Sequence, residues 1–128
     1  MGKKQPDPLD KFGQFVMSNL RDRGIDFFDT LAKGGWKAPA LKGLQEDLAR
    51  MTNAQRSVVR RSVVRALDAA IHDFLFALQE SRDRKEGVEC SVDGENVAGL
   101  SDGLQGEPFG RHGWQAKHSK HGAAPEKP

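Results

Sequence analysis

Between Thr52 and Gly87 the chain contains neither proline nor glycine, and this gap constrains the fold more than any other feature. Thr52 stands three residues before Gln55, the spacing of a capping box, in which the hydroxyl takes one orphan N–H and the amide reaches back to another. Gly87 is placed to close a helix in a left-handed cap. A helix from Asn53 to Arg84 would be about 48 Å long at a rise of ~1.5 Å per residue. Few globular domains hold so long a helix without building on it.

The pattern within this stretch changes along its length. Val59, Val63, Leu67, Ala70, Ile71, Phe74 and Leu78 recur at helical spacing and form one apolar stripe. Arg56, Arg60, Arg61 and Arg65 fill much of the remaining surface of the first half. In the second half Ala69, Leu75 and Phe76 lie outside the stripe, so it is apolar nearly all round. That predicts a central core helix, covered by other helices on one side and a small sheet on another.

The remaining chain supplies both. Residues 1–6 are expected to be disordered. Asp7-Pro8 is an N-cap followed by proline at the first helical position, and Leu9, Phe12, Val16 and Leu20 mark a first helix ending near Arg23-Gly24. Gly13 weakens that helix by about 1 kcal/mol relative to alanine and permits close packing. Asp26 is placed to cap a short second helix ending at Gly34-Gly35. Trp36 to Pro39 reads as a loop, and residues 40–50 as a third helix. Past Gly87 the period becomes two. Val88, Cys90 and Val92 alternate with Glu89 and Ser91, Asp93-Gly94 is a hairpin turn, and residues 95–99 form the return strand. Glycine and proline make residues 101–113 a loop, and Trp114 to His118 reads as a third strand. The expected architecture is therefore α+β. N-terminal helices and one long central helix pack with an antiparallel hairpin or three-stranded sheet, in a single domain over 7–118 followed by a disordered basic tail over 119–128.

At 128 residues the chain is long enough for one domain with a real core. Its net charge of +2 names no partner, but the charges are segregated. Five arginines and no acid lie between Arg50 and Arg65, whereas residues 86–107 hold acids and no lysine or arginine. Cys90 is the only cysteine, so no intramolecular disulfide forms and a reducing cytoplasm fits best. No apolar run approaches the ~18 residues of a spanning helix, and the N-terminus lacks the apolar core of a signal peptide.

Four clusters carry candidate chemistry. Asp68, His72 and Asp73 lie within one turn and a half of the long helix and offer a possible pocket. Two ligands at i,i+4 with no third make poor metal evidence. Arg56, Arg60, Arg61 and Arg65 suit phosphate or an acidic protein. The glycine-rich run from Gly103 to Trp114 lacks the Gly-Lys-Ser/Thr of a phosphate loop, so Leu104, Phe109 and Trp114 read as pins of a surface loop or, with Trp36, as interface anchors. His112, His118 and His121 lack the ligand set of a zinc site, and Cys90, in a buried strand, is a poor nucleophile. No nucleophile elbow or H-E-x-x-H is present. No catalytic residue, metal or cofactor is expected.

Three runs, Ile25-Asp26-Phe27-Phe28, His72 to Glu80 and Val92-Asp93-Gly94, together with Leu100 to Leu104, Gly106-Glu107 and Gly113-Trp114, resemble a group of small uncharacterised bacterial proteins. The likeness covers roughly residues 12–118. It implies a small stand-alone bacterial protein and carries no activity. The expected function is a non-enzymatic, cytoplasmic protein-interaction module, an immunity or regulatory protein, acting as a monomer or homodimer with no membrane partner. Its contacts would be the arginine face or Trp36, Phe109 and Trp114. The alternative is nucleic-acid binding through the arginine face.

Overall fold

A computed structural model describes residues 7–124; the expectations for residues 1–6 and 125–128 lie outside them. Asp7 caps helix α1 (Pro8–Val16), its side chain accepting from Asp10 N at 2.7 Å. The helix does not end at Arg23-Gly24 as expected. It continues through one π-helical turn, Met17–Arg21, in which the Asp22 N–H donates to Met17 O, into α2 (Asp22–Ala32). Met17 and Arg21 are both buried. Gly24 belongs inside α2 because a neighbouring helix passes close by: a Cβ there would lie 2.7 Å from Leu67 Cδ1. Asp26 consequently sits in mid-helix and caps nothing.

A loop and a 3-10 turn (Pro39–Leu41) lead into α3 (Lys42–Ala49), and then comes α4 (Asn53–Asp83), 31 residues without interruption. The capping box forms as the sequence predicts. Gln55 N donates to Thr52 Oγ1 at 3.1 Å and Thr52 N donates to Gln55 Oε1 at 2.9 Å. At the other end Lys85 takes the left-handed position (φ 55°) directly after the cap residue Arg84, and Glu86 N donates back to Ser81 O at 2.8 Å. Gly87, expected in that role, lies two residues too late.

The two halves of α4 serve two cores. Phe28 and Leu31 of α2 and Leu48 of α3 pack together with Val59 and Val63 beside them. Farther along, Ile71, Leu75 and Leu78 meet Phe12, Val16 and Met17 from α1 and Val97, Leu104 and Trp114 from the C-terminal third. Gln79 ties this second core together, donating to Ala98 O and accepting from Leu104 N at 2.9 Å. The expectation that the second half is covered on several sides does not hold: Phe74 is 58% exposed, and Phe76 and Ala70 also face outward. The sheet is too short to cover them. It has two strands, β1 (Ser91–Val92) and β2 (Glu95–Asn96), paired Ser91 to Asn96 and Val92 to Glu95 around the predicted Asp93-Gly94 turn.

Among the described residues no third strand follows. Trp114–His118 is a helical turn, α5, because Trp114 N and Gln115 N donate to the loop carbonyls Glu107 O and Pro108 O and Lys117 N donates to Gly113 O. The Trp114 ring meets Phe12 edge-on at 5.8 Å and lies on Gly13, where a Cβ would come within 2.4 Å of Trp114 Nε1. The architecture is thus α+β, with a long central helix and a small two-stranded antiparallel sheet. Among the described residues no helix is long and apolar enough to cross a membrane.

Candidate functional site

Residues 119–124, expected as part of a disordered basic tail, form instead a strap that continues from α5, whose last residues bind α1, along α2. Asp10 receives Lys117 Nζ at 2.8 Å and His118 Nε2 at 2.9 Å. Asp26 receives Lys120 Nζ at 2.6 Å and His121 Nε2 at 2.8 Å. Between them Asp22 accepts from Ser119 Oγ at 2.6 Å and from Lys120 N at 3.1 Å. Hydrogen bonds from Lys117 and then His118 hold the Asp10 carboxyl below its ordinary value, and Lys120 and then His121 do the same to Asp26. The same bonds push the lysines Lys117 and Lys120 up.

Beneath the strap lies a buried ion pair. Arg21 Nε donates to Asp68 Oδ1 at 2.7 Å, while its Nη1 donates to Ser119 Oγ at 2.9 Å and to Gly122 O at 2.7 Å. The π-turn and Asp68 on α4 therefore meet through groups the strap completes. The sequence offers Asp68, His72 and Asp73 as a possible pocket. Both Asp68 oxygens turn to Arg21, and His72 pairs with its exposed neighbour Asp73 at 3.1 Å. Asp68, His72 and Asp73 are thus not brought together as one site. A signal for the strap was present: Asp22, Asp26 and Asp29 recur at i, i+4, i+7 on one face of α2, opposite in charge to Lys117-His118-Ser119-Lys120-His121.

The arginine face divides into structural and surface members. Arg56 donates to Leu48 O, Met51 O and Asn53 Oδ1, tying the end of α3 to the start of α4. Arg60 grips Asp29 with two bonds, 2.8 and 3.1 Å, which pin α2 to α4 and raise the guanidinium's pKa. Arg61 and Arg65 are exposed. With Arg21 and Arg60 they line a groove of about 660 Å³ between α2, α4 and the strap. Its apolar wall is Ile25, Val58, Val64 and the strap residues Ala123 and Ala124; among the described residues no acidic residue lines it.

The expected aromatic anchors do not act together. Trp114 is 3% exposed and belongs to the core. Phe109 stays half-exposed, 6.2 Å from the His72 ring. Trp36 is exposed and stacked on Phe27. The three histidines considered together in the sequence are dispersed, His118 to Asp10 and His121 to Asp26, with His112 exposed. Asp26, Asp29 and His121 do bring ligand atoms within 4.8 Å of one another. Lys120 and Arg60 already neutralise the two carboxylates, so a divalent cation would have to displace both. Cys90 is half-buried beside the second core.

Comparisons with protein-family models, with curated proteins and with solved structures found no match to this chain.

Proposed function

We propose that the protein is a small non-enzymatic interaction module of immunity or regulatory type, and that its groove receives an acidic, partly apolar segment of another protein. One observation carries this reading: among the described residues four arginines and no acid line a groove whose other walls are mostly apolar, with Ser62 and His121 the remaining polar members. Such a surface attracts carboxylates and buries apolar side chains between them.

The test is fluorescence anisotropy with a labelled peptide rich in glutamate and leucine, run beside a labelled DNA duplex. Arg61→Glu and Val58→Asp are the variants. Arg61 is exposed and no partner holds it among the described residues. The reading expects saturable peptide binding at low salt, weakened about tenfold or more by either change, a loss of ~1.4 kcal/mol. Peptide binding indifferent to both variants would overturn it. Tighter binding to the duplex, falling steeply with salt, would move the function to nucleic-acid binding.

A further inference from the structure

From Gly34 to Leu44 the chain holds glycine, alanine, proline, leucine, tryptophan and lysine only. All of these residues but Leu41 are exposed. Trp36 (39% exposed) stacks on Phe27 (43%) with centroids 5.3 Å apart and planes tilted by 34°. Its polar groups are satisfied within the chain. Trp36 N donates to Gln45 Oε1 at 2.9 Å, Gln45 Nε2 donates to Trp36 O at 2.8 Å, and the indole Nε1 donates to Phe27 O at 3.2 Å. The ring is therefore rigidly presented and leaves water without stranding a donor or acceptor.

Lysines lie near it along the chain. Lys33 and Lys37 lie within three residues, and Lys42 stands one helical turn before Gln45 on the same face of α3. No hydrogen bond or ion pair to these ammonium groups occurs among the described residues, whereas Lys11, Lys117 and Lys120 all have carboxylate partners. The acids beside Phe27 are already matched: Asp26 by Lys120 and His121, Asp29 by Arg60. Glu46 is the one nearby exposed acid that no cation holds among the described residues.

We propose that this loop is a peripheral contact for an anionic lipid bilayer, with Trp36, Phe27 and Leu44 entering the headgroup region while Lys33, Lys37 and Lys42 reach anionic headgroups. Lysine stems keep their charge at the interface as the loop descends, and an indole suits that depth. Phe27 already takes one face of the indole and Trp36 is the one aromatic between Gly34 and Leu44, so the composition fits lipid better than a stacking platform for single-stranded nucleic acid. Contact of this kind needs no spanning helix.

Intrinsic fluorescence tests it directly, because Trp36 and Trp114 are the two tryptophans and Trp114 is buried. The protein is titrated with vesicles of phosphatidylcholine with and without phosphatidylserine, at low and high salt. The expected result is a blue shift with the phosphatidylserine vesicles at low salt, reversed by salt. Lys37→Gln with Lys42→Gln keeps the reporter and weakens binding about twenty-fivefold, each lysine near an anionic surface being worth about a fivefold change. Trp36→Ala, which removes the reporter, is read by co-sedimentation with the phosphatidylserine vesicles and loses binding, with circular dichroism confirming the helix. No shift, a shift independent of phosphatidylserine, or a shift only with a single-stranded oligonucleotide overturns the proposal.

Discussion

Arg21 Nε stands 2.7 Å from Asp68 Oδ1 with the arginine only 1% exposed, so a full charge pair joins the π-turn to the middle of the long helix. Removing one member leaves the other buried and unmatched. Arg21→Met or Asp68→Leu alone is expected to lower unfolding free energy by about 3–5 kcal/mol. Making both changes together should recover much of that loss. Urea unfolding of the three variants, followed by circular dichroism, gives the coupling; simple additivity would contradict the pairing.

The strap predicts an acid-side loss of stability. The Asp10 and Asp26 carboxyls are depressed from an ordinary value of 3.8 by lysine and histidine partners. A depressed carboxyl stabilises the fold above its unfolded value, and that stability is lost as pH falls through the folded value. Amide exchange of Ser119 to Ala124 should therefore accelerate below about pH 4 before that of α4 does. Asp10→Asn with Asp26→Asn should make exchange in the strap fast already at neutral pH and flatten its dependence on acid.

Lys85 holds a left-handed conformation that glycine adopts without strain. Lys85→Gly is expected to raise stability by about 0.5–1 kcal/mol, seen as a higher urea midpoint with an unchanged slope.

Gly13 and Gly24, both inside helices, should respond differently to alanine, although the helix preference of alanine favours both changes by about 1 kcal/mol. At Gly13 the new methyl meets the fixed, buried ring of Trp114, so Gly13→Ala should be net destabilising by about 1–3 kcal/mol. At Gly24 it meets the end of the Leu67 side chain, which can rotate, so Gly24→Ala should be near neutral. Thermal unfolding of the pair separates the two.

What was legible in the sequence was local. Thr52 and Gln55 bond each other across three residues, and Asp7, Pro8 and Asp93-Gly94 act within their own turns. What was misread depended on distant partners. Gly24 looks like a stop unless Leu67 is known to press on it, and Trp114 to His118 alternates like a strand unless Glu107 O and Pro108 O are known to receive its first two amides. The candidate site suffered likewise. Arg56 and Arg60 belong to a basic face in one dimension, but Leu48 O and Asp29 claim them in three. The groove beside Arg61 exists because residues 123 and 124 lie there, and nothing within the arginine run announces that.

The carbonyl of Gly122 that receives Arg21 Nη1 lies 101 residues downstream of it. A ribosome adding ~5–20 residues per second needs about 5–20 s to travel between the two. For that interval the first helix is complete while its guanidinium lacks part of its shell. Early packing around Arg21 in the nascent chain is thus provisional, and the native interior closes only after translation has passed Gly122.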